Sequence, residues 1–174
     1  MLFRSSETAE IAVEAALTGH QVLSTMHCND APGAISRLDD MEIAPFLISS
    51  SVILSCAQRL MRRICNFCKE PVTYPAKMYQ DLQIDPKTFE GVTLNRGRGC
   101  DRCKNSGYAG RAAIIEIMTV TDEIRKLVIA RASSNEIGKV AVEQGMKTLR
   151  MVALDKVRDG ISTLEQVLVL TSAH

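Results

Sequence analysis

The chain has 174 residues, 46% of them hydrophobic and 24% charged, and its formal net charge at pH 7 is +1. This size allows one domain or two small ones, and the hydrophobic content excludes a chain that is disordered throughout. The near-zero charge gives no overall field favouring nucleic acid or a membrane, and the longest uncharged stretch, residues 43–58, is shorter than the roughly 20 apolar residues that span a bilayer.

The first part of the chain, residues 5–60, is predicted to alternate helix and strand. A helix begins at Ser5 or Ser6, whose hydroxyls can cap its first turn, and ends at Gly19. A strand is predicted over 21–26, where apolar and β-branched residues alternate with polar ones. The residues that follow this strand begin a second helix.

Two further helix starts are marked by a proline early in the helix. Asp30 and Pro32 begin the second helix, and Pro45 begins a third and longer one. We expect the third helix to present one apolar face, formed by Phe46, Ile53, Ala57, Leu60 and Ile64. The order helix, strand, helix, helix suits part of a layered α/β domain.

The next part contains two Cys-x-x-Cys pairs, Cys65 with Cys68 and Cys100 with Cys103. Two residues between cysteines allow a tight turn to direct both sulfurs at one ion, and four thiolates form the tetrahedral site that Zn²⁺ prefers. Because four protein ligands leave no open position, we expect a structural zinc ion rather than a catalytic one. Its binding would contribute free energy to the folding of this segment.

The cellular context and the other cysteines bear on this interpretation. The N-terminus shows no export signal, so a cytoplasmic location is expected, and there six cysteines indicate metal ligands or buried thiols rather than disulfides. The alternatives for the four paired cysteines are redox-active thiols, plain buried thiols and an iron–sulfur cluster.

Cys28 and Cys56 are not part of a Cys-x-x-Cys pair. Both are predicted to be buried, and the alternative for Cys28 is a role in chemistry.

The cysteine-containing segment is also basic. Residues 58–111 hold eleven Lys and Arg against five Asp and Glu, a formal charge of +6, and five of the seven aromatic residues. Basic residues interleaved with aromatics can bind nucleic acid. The alternative is a solvated face whose arginines screen the thiolates.

The last part, residues 112–174, is predicted to be a strand followed by short helices. The strand covers 112–118, and the first helix contains Ile124, Leu127 and Val128. The next helix has a capping box, Ser133 with Glu136, and ends at Gly145; another ends at Gly160. Ser162 and Glu165 form a second predicted capping box before the last helix.

His27 lies where the predicted strand gives way to the N-terminus of the second helix. Ligands collect at the carboxyl ends of strands in open α/β sheets, and a helix N-terminus attracts anions. His27 could therefore contact a phosphate group. The alternative is a histidine that only makes a hydrogen bond within a turn.

Many ordered motifs of the chain resemble the traffic ATPases of type II secretion and type IV pilus assembly. The motifs are Glu7 to Ala12, Ala15 to His20, Ser24 to Ala31, Arg37-Leu38, Pro45 to Leu47, Ala57 to Leu60, Arg62-Arg63, the four paired cysteines, Gly107-Tyr108-x-Gly110-Arg111 and Gly160 to Glu165. Together they extend over nearly the whole chain.

This resemblance implies a hexameric motor with a RecA-like core that hydrolyses ATP with Mg²⁺ at the inner membrane. His27 and Asn29 match the family's His box, so His27 is the expected catalytic residue, and both are expected to contact the nucleotide phosphates. The four cysteines match the family's zinc subdomain, which retraction motors generally lack, and this favours secretion or pilus extension. Neighbouring subunits and an inner-membrane platform protein are the implied partners, with no nucleic acid and no membrane insertion.

The resemblance also implies a mostly helical α/β fold in three parts. These are the C-terminal portion of a RecA-like core (1–60), the inserted zinc-binding subdomain (61–111), and a strand with a small helical subdomain (112–174). The chain then reads as the C-terminal part of a motor ATPase, cytoplasmic and peripheral to the inner membrane through its partners.

The sequence departs from the family pattern at the catalytic positions. Leu2 stands where the family has its catalytic glutamate, Ser5 where it has an aspartate, and Cys28 where the His box has threonine. The sequence also contains no Gly-x-x-x-x-Gly-Lys-Ser/Thr loop to hold the β- and γ-phosphates. We therefore expect no ATPase activity from this chain alone.

Two other function classes stay open from the sequence. One is a stand-alone zinc-binding module that docks a protein partner, and the other is a zinc-ribbon nucleic-acid binder. A chain that begins within a core would also leave strand edges without partners, so self-association is expected.

Overall fold

The computed structural model describes residues 5–171; Leu2 and His174 lie outside the described residues. The helices are α1 (Ser6–Leu17), α2 (Ala31–Asp40), α3 (Pro45–Ser51), α4 (Ala76–Asp81), α5 (Asp122–Ile129), α6 (Ser134–Glu143), α7 (Leu149–Arg158) and α8 (Leu164–Thr171). The strands are β1 (Leu54–Ile64), β2 (Lys69–Pro71), β3 (Asn95–Gly97) and β4 (Tyr108–Thr119). No helix within residues 5–171 is long and apolar enough to cross a membrane.

The described residues divide into two compact units. The first unit comprises residues 5–57 and 116–148, and the second comprises residues 58–115 and 149–171. Strands β1 and β4 pair in a two-stranded sheet, and β2 pairs with β3 in another. The mostly helical α/β fold predicted from the sequence is confirmed.

The first unit packs α1, α2, α3, α5 and α6 around one hydrophobic core. The core residues are Ala9, Val13, Ala31, Ile35, Leu38, Ile43, Ile48, Met118, Val120, Ile124, Val128, Ile137, Ala141 and Met146.

Three of the helices begin at the capping residues that the sequence predicts. Ser5 caps α1, Asp30 caps α2, and Ser133 forms a capping box with Glu136 at α6. The hydroxyl and N–H groups of Ser133 hold the pKa of the Glu136 carboxyl below its usual value.

A buried carboxylate ties the start of α2 to the strands of the first unit. Glu116 on β4 is only 3% exposed, and its Oε1 accepts a 2.7 Å hydrogen bond from the Ala31 N–H. The buried Ser55 hydroxyl on β1 donates to the Ala31 carbonyl at 2.9 Å. Both backbone groups of the first residue of α2 are therefore bound by strand side chains.

We expect Glu116→Ala to lower the free energy of unfolding of the first unit by about 2–3 kcal/mol, because it leaves a buried N–H without its charged acceptor. Glu116→Gln keeps an acceptor oxygen and should lose less. Urea unfolding followed by helical circular dichroism measures this loss. Glu143→Ala, which removes an exposed carboxylate of the same unit, is the matched control; equal losses in the two alanine variants would contradict the expectation.

The predicted long third helix is wrong, because α3 ends at Ser51 and β1 begins at Leu54. The hydroxyls of three consecutive serines donate back to carbonyls of the preceding turn, Ser49 and Ser50 to Phe46 and Ser51 to Leu47. Such bonds compete with continuation of a helix. After these serines, side chains along much of β1 are alternately exposed and buried. This two-residue period is that of a strand and not of a helix.

The strand predicted over 21–26 is also wrong in its extent. These residues alternate between exposed and half-buried positions, as a strand would, but only Thr25 forms a β-bridge. A strand exists only where its backbone groups bond to a neighbour along its length. The alternating sequence pattern indicates that the backbone of these residues is extended, but it does not indicate whether a neighbouring strand is present.

The second unit is built on the antiparallel pair β2–β3, in which Lys69 lies opposite Gly97 and Pro71 opposite Asn95. The strand predicted over 112–118 is confirmed within the longer β4. Helices α7 and α8 pack on each other. The predicted capping box at the start of α8 is not what these side chains form: the Ser162 hydroxyl donates to the Arg62 carbonyl, and Glu165 accepts from the Tyr74 hydroxyl.

The isolated cysteines differ from the prediction that both are buried. Cys56 is exposed and Cys28 is half-buried. Cys56 was predicted to be buried because its sequence neighbours are apolar or small, but in the alternation of β1 it falls on the outer side, between the buried Ser55 and Ala57. Burial raises the pKa of the Cys28 thiol, and the nearby Asp30 carboxylate raises it further, so this thiol is a poor nucleophile at neutral pH.

Candidate metal centre

Each Cys-x-x-Cys pair forms a tight turn, which we call a knuckle. In the first knuckle, residues 65–68, the Cys68 N–H donates to the Cys65 carbonyl at 3.2 Å. In the second, residues 100–103, the Cys103 N–H donates to the Cys100 carbonyl at 3.1 Å. The two knuckles therefore use the same backbone hydrogen bond, and each directs its two sulfurs to one side.

Backbone contacts hold the two knuckles together. The β2–β3 ladder brings the chain after the first knuckle beside the chain before the second. The Arg98 N–H donates to the Cys68 carbonyl, and the Cys65 N–H donates to the Gly107 carbonyl, both at 2.9 Å. The Gly107 backbone also lies against that of Gly97 so closely that a Cβ on either residue would overlap the other backbone.

The four Sγ atoms lie within 4.8 Å of one another. The Sγ–Sγ distance is 3.9 Å for Cys65 with Cys100, 3.9 Å for Cys68 with Cys103, and 3.7 Å for Cys100 with Cys103. A tetrahedron with zinc–sulfur bonds of about 2.3 Å has sulfurs about 3.8 Å apart, whereas a disulfide requires about 2.0 Å. The predicted clustering of the four cysteines is confirmed, and their spacing fits one tetrahedral metal ion.

The surroundings of the sulfurs favour a bound cation. Three of the four cysteines are buried, and Cys100 is half-buried. Burial raises the pKa of the Cys68 thiol to about 12, despite an N–H···S hydrogen bond from Gly99. Burial also opposes ionisation of Cys103, but hydrogen bonds from the Cys100 and Gly107 backbones and from neighbouring thiols outweigh it and lower that pKa to about 6. Metal binding must therefore displace protons from the cluster.

The metal site also depends on three glycines that the spacing of the cysteines does not reveal. Gly97 and Gly107 allow the close backbone contact, and Gly99 presents its N–H to Cys68. The sequence signal was the run Gly97-Arg98-Gly99-Cys100, in which two glycines precede the second knuckle. Glycine there permits the backbone to approach another backbone directly.

The predicted phosphate-contacting residues lie in the first unit, apart in sequence from the cysteines. His27 and Asn29 are both exposed, in the extended segment that leads into α2. The N-terminus of α2 does not offer free donors, because the Ala31 N–H binds Glu116, Pro32 has none, and the Gly33 N–H binds the Asp30 carboxylate at 2.7 Å. The N–H groups of Ala31 and Gly33 are therefore not free to bind an anion, and the assignment of His27 and Asn29 to the nucleotide phosphates stays a prediction.

Residues 3–169 match the family model described as "Type II/IV secretion system protein". The chain belongs to this family. The resemblance noted in the sequence is thereby confirmed.

Relatives of this secretion family include ATPases of both pilus assembly and secretion. The chain is 48% identical over 168 residues to the type IV pilus assembly ATPase PilB of Thermus thermophilus, covering 97% of the chain and 19% of that protein. It is 45% identical over 172 residues to the type II secretion system ATPase E of Vibrio cholerae, covering 97% of the chain and 33% of that protein. The chain thus spans between a fifth and a third of the length of these relatives.

Two solved ATPase structures have a fold similar to that of this chain. The Legionella pneumophila ATPase DotB aligns with a TM-score of 0.60 at 19% identity, over 98% of this chain and 37% of DotB. The pilus retraction motor PilT, solved with bound ADP, aligns with a TM-score of 0.62 at 22% identity, over 97% of this chain and 37% of PilT. These likenesses confirm the fold.

Proposed function

We propose that this chain is the metal-binding and C-terminal helical part of a motor ATPase that drives type IV pilus assembly or type II secretion. The observation that carries the proposal is near-half identity, along 97% of the chain, to ATPases named for these two processes. The Cys65–Cys103 cluster supports it, because the sequence resemblance associates four such cysteines with secretion and pilus-extension motors.

The metal ion in this proposal is zinc, with Cys65, Cys68, Cys100 and Cys103 as its ligands. The all-sulfur donor set and the sulfur spacing near 3.8 Å support zinc over harder cations, which prefer oxygen. With four protein ligands the ion is structural. It supplies no chemistry to ATP hydrolysis and stabilises the fold of the second unit.

ATP and Mg²⁺ are bound in this proposal only by the longer motor, which supplies the phosphate loop that these 174 residues lack. His27 and Asn29 contribute side-chain contacts to the nucleotide phosphates, with His27 acting in catalysis. Their exposure ahead of α2 supports this assignment. Because the donors of the α2 N-terminus are occupied, these contacts depend on the two side chains themselves.

The partners in this proposal are neighbouring subunits of a hexamer and an inner-membrane platform protein, which places the motor on the cytoplasmic side of that membrane. The chain on its own is expected to self-associate. Large apolar side chains of the first unit support this, since Leu23 is 80% exposed and Ile53 is 67% exposed. In the hexameric motor such surfaces would be covered by protein.

Two chimeric motors test the proposal. Residues 3–169 of this chain replace the matching segment of the Thermus thermophilus pilus assembly ATPase in one, and of the Vibrio cholerae secretion ATPase in the other. We expect one zinc per subunit in each by metal analysis, and ATPase activity within about tenfold of the parent in at least one. The 174-residue chain alone should bind zinc and show no turnover above background.

The chimeras also distinguish pilus assembly from secretion, because each is returned to its own host and scored for pili or for secreted protein. A His27→Ala version of the active chimera should lose turnover while keeping its zinc. Folded, zinc-loaded chimeras that hydrolyse no ATP in either background would contradict the proposal. Turnover by the chain alone would contradict the assignment of hydrolysis to the longer protein.

A further inference from the structure

The middle positions of the two knuckles carry side chains that contact each other. Phe67 precedes the second cysteine of the first knuckle, and Arg102 precedes the second cysteine of the second. The Arg102 Cζ atom lies over the Phe67 ring, 3.8 Å from its centroid. Equivalent positions of two turns with the same backbone hydrogen bond thus meet in one cation–π pair.

This pair lies on the outside of the molecule. Phe67 is 68% exposed although it is a large apolar residue, and Arg102 is exposed as well. The ring therefore contributes little to a hydrophobic core, and the contact that occupies one of its faces is the guanidinium of the opposite knuckle. A side chain placed in this way joins two turns without stabilising either one alone.

We propose that Phe67 and Arg102 form a clasp, meaning this one stacked pair, that holds the two knuckles together and slows release of the bound metal. Each knuckle supplies two ligands, so the ion leaves only when sulfurs of one knuckle withdraw. Separation of the knuckles breaks the stack at the same time. Both residues are positioning residues, since neither one is a ligand.

The charge of Arg102 acts in the same direction. Four thiolates around a divalent cation leave a centre with a net charge of −2, and Arg102 is adjacent in sequence to the ligand Cys103. A guanidinium held in place by stacking stabilises that charge more than one that moves freely in solvent, because the stack has already restricted the conformational freedom of the arginine side chain. The clasp rests on the proposed metal centre, and its test separates the two.

The test measures zinc release from the zinc-loaded 174-residue chain into an excess of a colorimetric chelator. We expect Phe67→Ala to release zinc about two- to fivefold faster than the parent, the effect of an exposed cation–π contact, with one zinc per chain still bound at the start. Phe67→Tyr keeps the ring face and should restore the parental rate. Arg98→Ala removes an equal charge beside the second knuckle and leaves the stack intact, so it should change the rate less than Arg102→Ala.

The double variant Phe67→Ala/Arg102→Ala provides the decisive comparison. If the two side chains act through each other, the double variant should release zinc no faster than Arg102→Ala. A Phe67→Ala rate equal to that of the parent, or rates that multiply in the double variant, would overturn the clasp while leaving the metal centre standing. A parent chain that binds no zinc would refute the metal centre and the clasp together.

Discussion

A single Cys65→Ser substitution is expected to abolish stoichiometric metal binding and to unfold the knuckle region of the second unit. Structural zinc contributes on the order of 10 kcal/mol to the folding of small zinc modules. Serine cannot replace a thiolate ligand, and the three remaining cysteines are left clustered and mostly buried. Metal analysis and hydrogen exchange of residues 65–107 measure the two effects.

Cys56→Ser is the matched control for this substitution. It makes the same chemical change at an exposed cysteine of β1 that is not in the cluster, so the metal content should stay at one ion per chain. A chelator applied to the parent should reproduce the exchange pattern of Cys65→Ser. Full zinc content in Cys65→Ser would contradict the assignment of this residue as a ligand.

Gly107→Ala is expected to destabilise the second unit severely, in contrast to the same change at Gly110. Both glycines have a positive φ, +77° at Gly107 and +79° at Gly110, which costs an alanine roughly 1–2 kcal/mol. At Gly110 a Cβ meets no atom within 4 Å, whereas at Gly107 it meets the backbone of Gly97. The difference between the two variants therefore isolates the backbone overlap.

We expect Gly110→Ala to lose only the conformational term, and Gly107→Ala to lose at least about 2 kcal/mol more together with a large part of its zinc content. Urea unfolding of the zinc-loaded proteins measures the first quantity, and metal analysis measures the second. Equal stability and equal zinc in the two variants would show that the contact of Gly107 with Gly97 does not hold the knuckles in place.

The parts of the fold that follow from local chemistry were predictable. Ser5, Asp30 and Ser133 cap their helices because a short polar side chain meets free N–H groups within three residues. The two Cys-x-x-Cys pairs indicated one shared site because the spacing itself makes the turn. The capping partners lie close in sequence. The two cysteine pairs are distant from each other, but four cysteines in two such turns favour one shared site.

The parts that depend on distant partners were not predictable. The apolar residues of β1 fit a helical face as well as a strand, and only pairing with β4, more than forty residues later, decides between them. Residues 21–26 extend as predicted, yet the backbone of a strand needs a neighbour that the sequence does not specify. Glu116 gave no local sign that it would be buried against Ala31, 85 residues away.

Strand β1 also determines when the second unit can finish folding during synthesis. Its last residues bond to residues about a hundred positions later: the Ile64 N–H donates to the Ile161 carbonyl, and the backbone N–H and Nε of Arg62 donate to the Gln166 side chain, 104 residues away. A ribosome must therefore translate about a hundred further residues before this edge is covered. Domains generally fold as units during synthesis, so the second unit can complete its fold only after the first, whose residues end at 148.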